Sequence, residues 1–170
     1  PFRVLISCII SLRTKDNVTE TASKRLFARA DNVYDLAKLS VSDIDKLIYP
    51  AGFHKTKAKV IKDICNHIIM KHNGNVPNTL DELLALKGVG RKTANLVLTI
   101  GYGQDAICVD THVHRIPNRW GVIHTNKPED TERALSEVIP KNHWKEINRY
   151  LVTFGQNICK PISPHCSICS

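Results

Sequence analysis

Apolar residues recur along this chain at intervals of three and four, and almost nowhere at intervals of two. Val4, Leu5, Cys8, Ile9 and Leu12 predict a buried helix from Phe2 to Leu12. Ala22, Leu26 and Phe27 predict a second, from about Asn17 to Arg29, with Asp16 as its cap. Asn32 is placed to cap a short helix ending at Lys38. Ser40 or Ser42 caps another that runs to Tyr49 and stops at Pro50. A turn, Ala51-Gly52-Phe53-His54, leads into a longer amphipathic pattern from Lys55 to Lys71. There Ala58, Ile61, Ile64, Cys65, Ile68 and Ile69 face inward and basic residues outward. Thr79 opens a capping box with Glu82, ahead of the apolar face Leu80, Leu83, Leu84 and Leu86. Ala94, Val97, Leu98 and Gly101 share a stripe on the next helix, which starts at Arg91.

Past Gly101 to Gly103, where the internal boundary is expected, further helices start at about Thr111, run from Pro128 to Ile139 with Thr125 or Asn126 near the start, and run from about His143 to Cys159. Pro117 should bend or end its helix near Ile116, because proline removes a helical hydrogen bond. Only Asp105 to Val109 alternates as a strand would. The expected fold class is all-α, in two parts: residues 1–104, holding a helical hairpin at about 80–102, and residues 105–170.

The segment Leu86-Lys87-Gly88-Val89-Gly90-Arg91-Lys92-Thr93-Ala94 joins two of these helices. Its glycines suit a positive φ or a close backbone approach. A tight turn entering a helix aims backbone N–H groups and the positive end of the helix dipole at one point, which suits a phosphate. Lys92 lies in the first turn of that helix, where the dipole disfavours a cation, and a lysine able to lose its proton is a nucleophile. The plainer reading is that Gly88 and Gly90 only end one helix and begin another.

Charge favours the phosphate. The 170-residue chain carries a net charge of +8, which suggests a polyanionic partner, although scattered solvated charges would give the same total. Hydrophobic residues make up 42%, enough for a core, yet no apolar run is long enough to cross a membrane. The apolar start, Pro1 to Ile10, lacks the basic region and cleavage site of a signal peptide, and a chain beginning with proline is expected to be an excerpt.

Asp110 opens Val109-Asp110-Thr111-His112, and as a helix cap it needs no other explanation. A catalytic role is the alternative. From Lys92 to Tyr102 a helix rises about 15 Å. The extended residues Gly103 to Val109 can return up to about 23 Å, so the chain is long enough to bring Asp110 back beside Lys92. An amine and a carboxylate at one sugar phosphate suit imine chemistry: the amine attacks C1′ and the carboxylate assists proton transfer. Of six cysteines, Cys159, Cys166 and Cys169 cluster as C-x6-C-x2-C, which is a cofactor pattern. A zinc site using His165, or free thiols, would use the same residues. Cys8, Cys65 and Cys108 lie on apolar stretches and read as core.

Together the hairpin with Lys92, the Val109-Asp110-Thr111-His112 segment and the cysteine loop occur in the order found in the endonuclease III family of helix-hairpin-helix DNA glycosylases, and the whole chain from Pro1 to Cys169 resembles that family. The resemblance implies a two-domain helical fold with DNA in the cleft between the parts. It implies a bifunctional enzyme that removes oxidised pyrimidines through a Schiff base on Lys92, with Asp110 as the catalytic carboxylate, and cuts the strand by β-elimination. It also implies a [4Fe–4S] cluster on Cys159, Cys166 and Cys169, with a fourth cysteine expected beyond Ser170. Gly88, Val89, Gly90 and Arg91 would hold the DNA backbone. His112 is either a phosphate contact or an ordinary surface histidine.

Removing a base from the stack also needs a side chain to fill the gap. Phe53 is a candidate wedge, or else a staple on the core. Ser11-Leu12-Arg13-Thr14-Lys15-Asp16 resembles the loop whose residue fills the orphan space; relatives commonly carry glutamine where Arg13 stands. The implied partner is double-stranded DNA carrying damaged bases or abasic sites. The implied protein is a monomer inside the cell: in the cytoplasm or nucleoid of a prokaryote, or the nucleus or mitochondrion of a eukaryote. The alternatives are a mismatch or other-base glycosylase of the same superfamily and a non-catalytic DNA-binding module; Lys92 argues against the adenine-removing relatives, and Lys92 with Asp110 against the module.

Overall fold

In the computed structural model, which describes residues 1–169, apolar side chains at helical spacing drive the longer helices, and no strand forms among the described residues. Two compact units result, Pro1–Gly103 and Gln104–Ser170.

The first unit carries α1 (Phe2–Ser11), α2 (Asp16–Arg29), α3 (Val33–Lys38), α4 (Val41–Ile48), α5 (His54–His72), α6 (Leu80–Leu84) and α7 (Arg91–Leu96), which continues as a π turn over Val97–Gly101. Its core is Leu5, Ile6, Ile9 and Ile10 of α1 against Ala22 and Leu26 of α2, Ile61, Ile64 and Ile68 of α5, and Leu83, Ala94 and Val97 of the hairpin. Burying each large aliphatic side chain contributes about 1.5–3 kcal/mol. Within the π turn Thr99 Oγ1 donates to Asn95 O at 2.8 Å.

Caps follow the sequence in part. Asn32 and Ser40 accept from Asp35 N and Asp43 N. Asp16 does not cap α2; it sits inside the first turn, where its charge still suits the dipole, and Lys15 occupies the cap position without a side-chain bond. The capping box at Thr79 is also incomplete. Its hydroxyl donates to Glu82 Oε2 at 2.5 Å instead of accepting a backbone N–H. The largest departure is on α5. Lys57 is 6% exposed, not outward, because it lies on the buried stripe four residues before Ile61 and seven before Ile64.

The second unit carries α8 (Thr111–Arg119), α9 (Pro128–Val138) and α10 (Trp144–Asn157), with short 3-10 turns at Lys141–His143 and Cys166–Ile168. Val113, Ile116, Ile123, Leu135 and Leu151 form its core. Residues 105–109 are not a strand: Ile107, Cys108 and Val109 are all buried, and Asn148 Nδ2 of α10 donates to Cys108 O at 3.0 Å. Lys127, and neither Thr125 nor Asn126, takes the cap position of α9. α8 does not stop at Ile116. Pro117 is buried within it, and the helix runs two residues further before Gly121, at φ +72°, turns the chain. Asn118 Nδ2 donates to His114 O at 2.7 Å, tying its side chain to the helix beside the proline.

Candidate active site

Gly88 stands at φ +78° between α6 and α7, a conformation that L side chains avoid, and Val89 N donates to Leu86 O at 3.1 Å to close the turn. Gly90 caps α7 in extended backbone. Arg91 and Lys92 therefore sit in a first helical turn, whose N–H groups have no acceptor within their own helix. Lys92 is exposed, and the Thr93-Ala94-Asn95 stretch beyond it is buried, so the helix is anchored by its far side. α1 packs on α7 and brings Cys8 near: burial pushes the Cys8 thiol up to about 11, and the Lys92 charge pulls it back down. Lys87, on the α6 side of the turn, pairs with Asp63 of α5 at 2.8 Å.

Arg13 and Phe53 meet, although forty positions of sequence separate them. The Arg13 guanidinium lies over the Phe53 ring at 5.6 Å from its centroid. Both residues adopt left-handed backbone, φ 52° and 56°, which is costly for side chains of this size. Phe53 is 62% exposed, so it is not a staple on the core. A Cβ on Gly52 would stand 2.4 Å from Arg13 O, so only glycine lets the two loops approach this closely.

In the second unit Asp110 caps α8. Its Oδ1 accepts from His112 N at 2.8 Å and Val113 N at 2.9 Å, and Oδ2 takes neither bond. His112 is half-buried, with Nδ1 3.0 Å from Arg115 Nη2. A guanidinium has no lone pair to offer, so Nδ1 accepts and Nε2 carries the proton as a donor. His114 instead turns to Thr131 Oγ1 at 2.6 Å. Gly155 of α10 packs so close that a Cβ there would lie 2.2 Å from His112 Nδ1.

Arg119 holds the start of the cysteine loop. Its Nη1 lies 3.5 Å from Cys159 Sγ and 2.7 Å from Lys160 O, and Nη2 lies 2.8 Å from Pro161 O. Arg115 Nη2 adds a bond to Cys159 O at 2.8 Å. Cys159 is buried, whereas Cys166, on the last 3-10 turn, and Cys169, just after it, are exposed. Cysteine thiols suit iron–sulfur ligation by chemical type, and of the three only Cys159 has a guanidinium beside it. No group of three or more His, Cys, Asp or Glu able to hold a metal forms among the described residues. Among those residues no helix is long and apolar enough to cross a membrane.

A family model described as HhH-GPD superfamily base excision DNA repair protein matches residues 6–141. The chain is 48% identical over 169 residues to the endonuclease III of Thermotoga maritima, covering 99% of this chain and 79% of that one. It is 44% identical to the endonuclease III-like protein 1 of Bos taurus and 43% identical to a chloroplastic endonuclease III homolog of Arabidopsis thaliana, and spans 56% and 46% of their lengths. In three dimensions it resembles a trapped covalent endonuclease III–DNA intermediate, with a TM-score of 0.89 at 35% identity over 98% of this chain and 78% of that one. A thermostable thymine-DNA glycosylase superposes with a TM-score of 0.87 at 26% identity, over 100% of this chain and 80% of that one.

Proposed function

The chain belongs to the endonuclease III family, within the HhH-GPD superfamily of base excision DNA repair proteins, and from that membership we propose that it excises oxidised pyrimidines from double-stranded DNA and cuts the strand at the resulting abasic site. One observation carries the reading: Lys92 stands exposed in the first turn of a helix entered through a positive-φ glycine turn.

The Lys92 amine attacks C1′ of the damaged nucleotide. The C1′–N bond breaks and the base leaves with a proton. The sugar ring opens to a protonated imine. Loss of a C2′ proton then breaks the C3′–O bond by β-elimination, and water releases the unsaturated aldehyde and restores the amine. Asp110 supplies negative charge to the developing oxocarbenium and takes the proton that Lys92 must shed before it attacks. Gly88, Val89, Gly90 and Arg91 anchor a backbone phosphate, and the His112 Nε2 proton serves a second. Phe53 and Arg13 fill the space the base leaves. The protein acts as a monomer wherever the cell keeps its DNA. Single-turnover assays on a panel of duplexes, each with one oxidised or mismatched base, test the substrate class. Release of oxidised pyrimidines with matching strand cleavage supports it. Base release without cleavage contradicts the lyase step.

Cys159, Cys166 and Cys169 are proposed to hold the iron–sulfur cluster with one further thiolate. When bound, such a cluster cross-links the loop, and no step of the excision passes through it. The natively produced protein should contain iron and labile sulfide in equal amounts and lose both in Cys166→Ser. A colourless protein carrying one zinc would contradict the cluster.

Gly90→Asp tests the phosphate anchor. A Cβ there meets nothing within 4 Å, and the backbone is extended, so the fold accepts the change. Aspartate is also a slightly better cap than glycine, by a few tenths of a kcal/mol. Thermal stability should hold or rise, whereas binding to any duplex, damaged or intact, should weaken by roughly tenfold or more through lost close approach and added repulsion. Unchanged binding would move the anchor elsewhere.

A further inference from the structure

The buried lysine of α5 has no part in the chemistry above, yet its surroundings link the two loops that carry Arg13 and Phe53. Lys57 Nζ donates to Ile10 O at 2.6 Å, to Leu12 O at 2.5 Å and to Thr14 Oγ1 at 2.8 Å. Three donors meet three acceptors, so the ammonium is saturated. Ile10 O belongs to the last turn of α1, whose carbonyls lack helical partners and favour a cation. Burial pushes the Lys57 ammonium down to about 8, which leaves the charged form dominant at neutral pH.

Thr14 extends the network. Its Oγ1 accepts from Lys57, accepts from Gly52 N at 3.0 Å and lies 3.3 Å from Leu12 O. Thr14 directly follows Arg13, and Gly52 directly precedes Phe53. Each left-handed residue of the stacked pair therefore has a neighbour fixed by one hydroxyl, which one buried ammonium holds in turn. An apolar residue would fill the same stripe position on α5 and leave the carbonyls of Ile10 and Leu12 without this donor.

We propose that Lys57 and Thr14 form a latch between the two loops, and that Lys57 is a positioning residue for extrusion of the damaged base, acting through the Arg13–Phe53 pair. The proposal rests on the base-excision reading above. With the latch cut, the pair is released from its strained backbone, and the step that suffers is the one in which a paired base leaves the stack. A base already without a partner costs less to extrude and depends less on the pair.

The test compares two duplexes under single turnover: an oxidised pyrimidine paired with adenine, and the same base opposite an abasic analogue. Lys57→Met should lower the paired rate about 10–100-fold more than the unpaired rate, and Thr14→Val should shift the ratio the same way by less. In a Phe53→Ala background, Lys57→Met should leave the ratio where Phe53→Ala alone puts it. Equal losses on both duplexes, or an unchanged ratio, would overturn the latch and leave Lys57 a support of the fold. Hydrogen exchange at the Gly52 amide reads the same link without DNA. It should accelerate in Lys57→Met and in Thr14→Val, and wild-type exchange in both would overturn the proposal. If the wild-type protein cuts neither duplex, the base-excision reading fails, and the exchange measurement still decides the latch.

Discussion

Lys92→Gln should retain duplex binding within about twofold and lose strand cleavage by at least about 10³-fold, as expected when a covalent nucleophile is removed. Lys92 is exposed, so substitution there should alter stability by no more than about 0.5 kcal/mol. Glutamine has a helix propensity close to that of lysine and removes a cation from the end of the helix where the dipole disfavours one. The hairpin turn, set by the φ +78° backbone of Gly88 and by Gly90 as cap, is untouched. Binding assays on an abasic duplex and gel assays of nicking separate the two effects. Lost binding would make Lys92 a DNA contact; retained nicking would place the nucleophile elsewhere.

Asp110→Asn should fold as the wild type does and turn over roughly 10²–10³-fold more slowly. Capping and catalysis ask different things of this side chain. The cap needs an acceptor, and Asp110 supplies it through Oδ1 alone, to His112 N and Val113 N. Asparagine presents the same oxygen and caps about as well. Catalysis as proposed needs a negative charge, and removing one fixed charge from a reacting centre costs about 3–4 kcal/mol of transition-state stabilisation. Asp110→Ala loses the cap as well, at about 1 kcal/mol of stability. Thermal unfolding beside single-turnover excision on the asparagine variant decides between the roles. A normal melting temperature with wild-type excision would reduce Asp110 to a cap.

The helical class was legible because burial of a helix face imprints a period of three to four, as Ile61, Ile64, Cys65 and Ile68 show on α5. The same stripe pointed to Lys57, yet the charge of lysine argued for solvent. The carbonyls of Ile10 and Leu12 that reversed this lie more than forty positions away. Residues 105–109 misled for a related reason: Ile107 and Val109 alternate as a strand would, but Cys108 between them is buried too and no ladder partner exists among the described residues. At Pro117 the helix does not end: the proline is buried and α8 continues to Arg119. Positions within one element, such as Lys92 after its glycine turn or Asp110 before its helix, followed from nearest-neighbour geometry. The stacking of Arg13 on Phe53 did not, because it depends on two left-handed residues held by a third segment.

On the mechanism proposed above, one amine, on Lys92, forms the covalent bond to DNA. Borohydride reduces an imine to a stable amine, so reaction with a damaged duplex in its presence, followed by digestion and mass spectrometry, identifies the attacking residue. The expected product is a cross-link whose DNA remnant maps to Lys92, absent from Lys92→Gln and slowed in Asp110→Asn. A cross-link of wild-type yield in Lys92→Gln, or none in the wild-type protein on a duplex that it cuts, would contradict it.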